Sequence, residues 1–264
     1  MHAHDDARTA LASWREAASR NYFDEDAFLH AVLHRHLGRP AFERERAGWS
    51  AFGAACAGPL DEMVRETNRD EHLPRLRRYD DHGRRIDQVI FHPAYTAIGE
   101  AVYATGIIAR YAQPGEELCQ MVYGYLLCHL GEAGHMCPVA CTAGLVKILQ
   151  QQGDPALQAR WLPGLLRRDR AHPEHLHGAQ WLTEIQGGSD VGANACVARQ
   201  DEAGAWRVFG EKWFCSVIDA DLAVVTARPE GPGWGGRGTA GLAIAGPRDS
   251  GIPRTRLAGA KSRV

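Results

Sequence analysis

The sequence predicts an α+β protein, in which an N-terminal all-helical domain precedes a small, incomplete antiparallel β domain, a β-barrel or a β-sandwich. Between residues 94 and 152, apolar residues recur every three or four positions, which is the spacing of one helix face. From residue 178 onward the chain instead has short β-like runs separated by glycine, proline and acidic turns. This change of period predicts a boundary between a helical domain of residues 1–177 and a β domain of residues 178–264.

Composition limits the class of function before any motif is considered. The chain has 264 residues, of which 45% are hydrophobic, and 30 basic against 32 acidic residues leave no basic field for nucleic acid. No apolar run approaches the roughly 20 residues that span a bilayer, and the charged N-terminus is no signal peptide. Seven cysteines, an odd number, favour reduced thiols. We therefore expect a cytoplasmic, globular protein with no membrane contact.

The helical part is predicted element by element from periodicity and punctuation. Glycines and prolines interrupt residues 1–80, which predicts short helices and loops, with a tight turn at Tyr79–Arg84. Asp154 and Pro155 form an N-cap and first helical position, and Pro163 and Gly164 are expected to end that helix after Trp161. The other predicted helices are 23–37, 60–69, 94–110, 116–130 and 138–152, and their short connections indicate a packed bundle.

The β part is predicted from alternation and turn residues. Asp201–Gly204 is the clearest hairpin connection, 231–241 is expected to be a mobile loop, and no closing strand is found after Ile252. The predicted strands are 179–182, 195–199, 206–209, 222–226 and 242–245.

The stretch from Gln180 to Asp190 combines a strand end with a glycine-rich turn. Its sequence is Q-W-L-T-E-I-Q-G-G-S-D. One interpretation is an ordinary polar turn, for which Gly-Gly-Ser-Asp is a common composition. In the other, the glycine amides and the Ser189 hydroxyl donate to a phosphate, and the Thr183 hydroxyl meets a polar ring edge.

A second aromatic and hydroxyl set lies at Lys212–Ser216. As a strand, this segment would place Phe214 and Ser216 on one face and Trp213 on the opposite face, in the core. An aromatic ring beside a hydroxyl suits a flat heteroaromatic ligand.

Taken together, the two motifs resemble the flavin-binding core of the acyl-CoA dehydrogenase family. The pattern is T-E-x-x-G-G-S-D from Thr183, followed by G-x-K-W-F-x-S from Gly210. The resemblance is closest to the branch of the alkylation-response protein AidB, and segments 78–85, 91–94 and 132–138 extend it upstream. It covers most of the chain from about residue 48.

This resemblance implies FAD as cofactor, an acyl-CoA-like substrate and a homo-oligomer in the complete form. Leu182 and Thr183 would line the flavin ring, and Gly188 and Ser189 would meet the pyrophosphate. The ring would be flanked from the second motif by Phe214, where many members carry tryptophan, and by Ser216. Ile185 stands where proline or lysine is usual.

The resemblance also limits what can be assigned. The family's proton-abstracting glutamate, and the basic DNA surface of the AidB branch, belong to a C-terminal helical region that we do not find in the sequence. We therefore assign no catalytic residue, and Glu184 of the flavin motif is not taken as the base. We assign no metal either, because these residues lack closed metal-ligand spacing: His129, His135, Cys137, Cys141, His172, His175 and His177.

Two other classes of function remain open at this point. The chain can be a non-catalytic interaction module derived from the family, which pairs with itself or with a full-length relative. Alternatively, it is a small β-barrel ligand binder that holds no flavin.

Overall fold

The computed structural model describes residues 3–18, 20–131, 133–230, 241–245 and 256–258. Within these ranges a helical part precedes a β part that starts at Gly178, which confirms the predicted α+β class. None of the described helices is long and apolar enough to cross a bilayer. The helices are α1 (Ala3–Glu16), α2 (Ala27–Leu37), α3 (Arg39–Ala57), α4 (Pro59–Thr67), α5 (Pro93–Ala104), α6 (Glu117–His129), α7 (Ala133–Gln152) and α8 (Pro155–Leu165).

Helix α2 begins four residues after its predicted start, and α5 ends at Ala104, six residues before its predicted end. Two further helix ends differ from the prediction because prolines lie inside helices. The Asp154 carboxylate caps α8 by accepting from the Leu157 amide at 2.8 Å, as predicted. However, α8 continues through Pro163 to Leu165. Similarly, α7 begins at Ala133 and contains Pro138. A long helix tolerates the single hydrogen bond that proline removes when its packing compensates.

Helix α3 was predicted as short helices and loops, and the structure shows one helix of 19 residues. The glycines of α3 do not end the helix but allow neighbouring groups to pack closely against it. A Cβ at Gly53 would lie 2.7 Å from the Phe23 amide nitrogen, and one at Gly48 would lie 2.6 Å from the Tyr123 hydroxyl. These glycines therefore admit neighbouring groups that a larger residue would exclude.

A two-stranded hairpin lies between α4 and α5. Strand β1 (Arg75–Tyr79) pairs antiparallel with β2 (Arg85–Ile90). The predicted turn between them is confirmed, since the Asp80 amide donates to the Arg84 carbonyl at 2.9 Å and Gly83 has a φ of 75°. The strands themselves were not predicted. Strand β1 is exposed along its whole length, so no buried face imposes an alternating pattern.

The main sheet is built around a long central strand. The strands are β3 (Gly178–Trp181), β4 (Val197–Gln200), β5 (Trp206–Phe209), β6 (Leu222–Pro229), β7 (Gly241–Ala245) and β8 (Arg256–Ala258). β3 and β4 pair parallel with β6, whereas β4–β5, β6–β7 and β7–β8 are antiparallel. The sheet is therefore mixed, and its described strands form an open order and no closed barrel.

Three predictions about the β part have different outcomes. The hairpin turn at Asp201–Gly204 is confirmed, since the Asp201 amide donates to the Ala205 carbonyl at 2.8 Å. Most of the predicted loop, residues 231–240, lies outside the described residues. The absence of a strand after Ile252 was wrong, because β8 pairs with β7.

The helices and the sheet share one hydrophobic core. Leu222 and Val224 of β6 belong to the same buried cluster as the helical core residues. Helix α7 packs directly on β3, where the Gly178 amide donates to the Thr142 hydroxyl at 2.9 Å and the Gln180 side-chain amide donates to the Cys141 carbonyl at 3.1 Å. The end of β3, where the first motif begins, is thus fixed by the helices.

Candidate cofactor site

The first motif leaves β3 through a tight turn. The backbones of Glu184 and Gly187 exchange two hydrogen bonds of 3.1 and 3.0 Å, and Gly187 has a φ of 143°, which favours glycine. A Cβ at Gly188 would lie 2.5 Å from the Thr183 hydroxyl oxygen. The backbone of Gly188 is therefore held against the Thr183 side chain.

The second motif lies directly beside the first. The Trp213 amide donates to the Thr183 carbonyl at 2.8 Å, and the Trp181 indole donates to the Ser216 carbonyl at 3.0 Å. The structure thus brings together two motifs that are about thirty residues apart in sequence.

The second motif is not the predicted strand. Residues 211–216 are irregular, and both Phe214 and Val217 have a φ of 54°, in the left-handed region. The argument that Phe214 and Ser216 share a strand face was therefore wrong. Trp213 was expected in the core, yet 48% of it is exposed. Strained backbone of this kind is concentrated at ligand-binding and switch segments.

A buried ion pair joins the two motifs. The Lys212 ammonium donates to the Glu184 carboxylate at 2.7 Å and to the Leu182 carbonyl at 3.2 Å. Glu184 also accepts from the Ala195 and Cys196 amides at 2.5 and 3.1 Å. Both side chains are almost completely buried. The pair fixes the second motif to the end of β3 from inside the protein.

The environment of Glu184 keeps it ionised. Burial alone would raise the pKa of this carboxyl, but the hydrogen bonds from Lys212, Gln186 and residues 195–196 hold the pKa far below its usual range. A carboxylate so bound is a poor general base, and the decision to assign Glu184 no catalytic role stays a prediction.

The sequence did not identify Glu184 and Lys212 as partners. A signal was present, since Glu184 and Lys212 each precede a large apolar residue, and a buried charge needs a partner of opposite sign. Spacing along the chain could not show that these charges meet.

The predicted cofactor residues form an accessible surface next to the buried Glu184–Lys212 pair. Phe214 is 79% exposed, Ser189 and Ser216 are exposed, and Leu182, Thr183 and Gly188 are partly buried. This surface, formed by residues 182–189 and 212–216, is called the motif face below.

The histidines that were considered as metal ligands have other contacts. His129 stacks on Tyr22 with ring centroids 4.9 Å apart, and the buried His135 stacks on Tyr95 at 4.1 Å. The His177 imidazole lies 3.0 Å from the Asp221 carboxylate. These contacts explain the positions of the three rings, although Nε2 of His135 is buried without a hydrogen-bond partner among the described residues.

Comparison with known proteins identifies the family. Residues 14–171 match the family model described as the adaptive response protein AidB N-terminal domain, which is more than half of the chain. The chain belongs to the AidB branch of the acyl-CoA dehydrogenase family. AidB of Escherichia coli (strain K12) is 34% identical over 209 residues, an alignment that covers 72% of this chain and 38% of that protein.

Two solved structures are similar to this chain over most of its length. Bd2924 in its apo form is 28% identical with a TM-score of 0.75, and the alignment covers 89% of this chain and 47% of Bd2924. ACDH-11 of Caenorhabditis elegans, solved in complex with C11-CoA, is 26% identical with a TM-score of 0.76 and coverage of 90% and 41%. The AidB-type chain therefore spans less than half the length of these relatives.

Proposed function

We propose that this chain is the flavin-binding N-terminal and middle part of an AidB-type acyl-CoA dehydrogenase, and that it binds FAD on the motif face. The observation that carries the proposal is the 2.8 Å hydrogen bond from the Trp213 amide to the Thr183 carbonyl. It joins two motifs that carry complementary groups for one ligand.

The residues of the motif face fit the chemistry of FAD. The Thr183 and Ser216 hydroxyls can hydrogen-bond to the polar edge of the flavin ring, and the exposed Phe214 ring offers an apolar surface. The Gly188 amide and the Ser189 hydroxyl suit the pyrophosphate, because a glycine backbone lets phosphate oxygens approach closely. The half-buried Leu182 would border the ring.

Bound FAD would supply a hydride acceptor for oxidation of the bond between the α and β carbons of an acyl thioester. The residues of this chain would bind and orient the flavin, and we assign none of them as the base. ACDH-11 was solved with C11-CoA, which favours an acyl-CoA-like substrate for this chain as well. Because we assign no proton-abstracting base in this chain, we expect FAD bound to it to remain oxidised when an acyl-CoA is added under anaerobic conditions.

FAD titration of the 264-residue chain, followed by flavin fluorescence and by the shift in melting temperature, tests the proposal. Wild-type protein should bind one FAD, and Phe214→Ala should bind it roughly tenfold more weakly because ring contact is lost. Phe209→Ala is a matched control, since Phe209 is an exposed aromatic residue of β5. Absence of FAD binding to wild-type protein would contradict cofactor binding. Equal weakening by both substitutions would contradict the location of the site.

Exposed apolar side chains around the motif face support a second candidate, a surface for association with another copy or with a longer relative. Ile185, Phe214 and Ile218 are 71%, 79% and 62% exposed. Contiguous exposed apolar residues commonly mark interaction sites. Light scattering with and without FAD distinguishes the two. A monomer that binds FAD disfavours the association role, whereas an oligomer that does not bind FAD supports it.

A further inference from the structure

Three potential metal ligands meet at the base of the β1–β2 hairpin. Glu66 lies in the last turn of α4, His72 lies shortly before β1, and His92 lies shortly after β2 and caps α5. One ligand atom from each residue lies within 4.8 Å of the others. The three side chains therefore connect both ends of the hairpin to a helix of the core.

The contacts of these side chains leave ligand atoms available. Nδ1 of His72 lies 3.1 Å from Oε1 of Glu66 and 2.9 Å from the Glu66 carbonyl oxygen. Nδ1 of His92 accepts from the Ala94 amide at 3.2 Å, which leaves Nε2 for a ligand. The other oxygen of Glu66, Oε2, faces the exposed Arg69 at 3.2 Å, so Oε1 has no arginine partner.

A second acidic cluster in the described part of the chain shows the contrast. Glu45, Glu116 and Cys119 also come within metal-ligand range of one another. There, however, Arg110 binds Glu45 at 2.6 Å and Glu116 at 2.7 Å, and thus supplies the cation itself. At the hairpin base the carboxylate oxygen instead faces two imidazoles, which are zinc ligands.

We propose that Glu66, His72 and His92 bind one divalent transition-metal ion of the Zn²⁺ class. Two imidazoles and a carboxylate leave a fourth position, which the Glu66 carbonyl oxygen or a water molecule can occupy. Ligand atoms around tetrahedral zinc are roughly 3.4 Å apart, so the three groups, which now lie within 4.8 Å of one another, must come closer where they are farther apart than that.

Binding also requires one imidazole ring to turn. The rings of His72 and His92 are stacked, with centroids 4.2 Å apart and an angle of 28° between their planes. A metal ion lies in the plane of each imidazole that binds it, which two stacked rings cannot both satisfy. The χ2 torsion of histidine is broad and both side chains are partly exposed, so one ring can rotate at the cost of the hydrogen bond that its Nδ1 makes to Ala94 or to Glu66.

Because the site lies at the base of the hairpin, a bound ion would stabilise the hairpin. Strand β1 is exposed along its whole length, and β2 is mostly exposed. A two-stranded hairpin without a buried face is marginally stable. An ion bound by all three residues would hold the entry and exit of the hairpin against the end of α4, and would thereby order residues 75–90.

Zinc binding by the 264-residue chain, measured by competition with a chromophoric chelator, tests the proposal. Wild-type protein should bind one Zn²⁺, and His72→Asn and His92→Asn should each weaken binding at least tenfold. Asparagine at position 92 retains the capping of α5, so the second variant should keep its fold. His82→Asn is the control, because His82 lies in the turn at the far end of the hairpin.

Hydrogen exchange of residues 75–90 gives a second measurement on the same proteins. Zn²⁺ should slow exchange in wild-type protein and in His82→Asn, but not in His72→Asn or His92→Asn. The proposal is overturned if wild-type protein binds no Zn²⁺, if the three variants bind it equally, or if Zn²⁺ leaves hairpin exchange unchanged in wild-type protein.

Discussion

At the scale of single residues, the Glu184–Lys212 pair decides how the motif face is held. The two side chains are only 2% and 7% exposed, so neither charge can be satisfied by water if the other is removed. The same pair holds Glu184 in its ionised form. The contacts of this carboxylate in the first motif therefore give it a structural role.

Glu184→Gln should lower the free energy of unfolding by about 3 kcal/mol or more, because it leaves the Lys212 ammonium buried without a counter-ion. Urea unfolding at neutral pH measures this change. The control is Glu230→Gln, which breaks an exposed pair with Arg199 and should cost less than about 1 kcal/mol. Similar costs for both substitutions would show that the buried pair does not stabilise the fold.

The buried His135 side chain makes the free energy of unfolding depend on pH. Burial, assisted by the Arg170 charge, lowers the pKa of His135 to about 4. The unfolded chain takes up the proton near pH 6.5, so the contribution of His135 is fully present above that pH and is lost as the pH falls toward 4. Between pH 6 and 5, one such histidine contributes a slope of about 1.4 kcal/mol per pH unit.

His135→Gln should reduce the pH dependence of stability by roughly the slope of that one histidine, which urea unfolding at several pH values between 7 and 5 would show. His175 retains its own contribution in this variant, since burial likewise lowers its pKa to about 4. His82→Gln, at the exposed turn of the hairpin, should leave the slope as in wild-type protein. An unchanged slope in His135→Gln would mean that His135 binds its proton equally well in the folded and the unfolded chain.

Single residues show how far the sequence could predict the site. The proximity of Thr183 to the second motif was expected from the motif pair, and the structure brings the two together. The strand geometry used for Phe214 and Ser216 was wrong, since a φ of 54° at Phe214 cannot be inferred from residue types. FAD contacts of individual residues stay predictions.

At the scale of elements, the contact between α7 and β3 fixes the site to the helical core. A Cβ at Gly178 would lie 2.7 Å from the Leu145 side chain and 3.3 Å from the Thr142 Cα atom. Leu145 is completely buried, so it has little room to move. The first residue of β3 is therefore a glycine for reasons of packing.

Gly178→Ala should lower the free energy of unfolding by about 1–3 kcal/mol, because the added methyl group overpacks this contact. Chemical denaturation followed by circular dichroism measures the loss. Gly124→Ala in α6 is the matched control, since its Cβ would lie 3.6 Å from Met136 and alanine favours helix. We expect that control to be neutral or stabilising. An equally neutral Gly178→Ala would contradict the packing argument.

Elements with a buried face were the ones that the sequence predicted well. Helices α6 to α8 and strands β3, β4 and β6 follow the apolar periodicity, because one side of each packs on buried residues. Helix α3 was missed since its glycines resemble breaks, and β1 and β2 were missed since exposed strands need no alternation. Parallel pairing of β3 with β6 could not be predicted, because local patterns do not specify strand order.

At the scale of the whole molecule, β6 belongs to both parts of the fold. Leu222, at its start, is 1% exposed and packs in the helical core, while Ala227 packs in a separate cluster with β4 and β5. The predicted division at residues 177 and 178 stays a prediction. The shared core nevertheless implies that the two parts unfold together.

Leu222→Ala should cost about 2–5 kcal/mol and preserve a single unfolding transition that is the same by far-UV circular dichroism and by tryptophan fluorescence. The physical reason is a cavity in a core that both parts share. Val208→Ala in β5, which packs only in the small sheet clusters, is the control and should cost less. Two separate transitions in Leu222→Ala would show that the helices form an independent core.

The placement of Leu222 and Val224 also determines the order in which the protein can mature during synthesis. Helices α1 to α8 are complete in the nascent chain at residue 165, but their core still lacks side chains that are added more than fifty residues later. Until then, apolar surface on the helices stays uncovered and available to chaperones. We therefore expect the helical part to complete its core only after β6 has been translated.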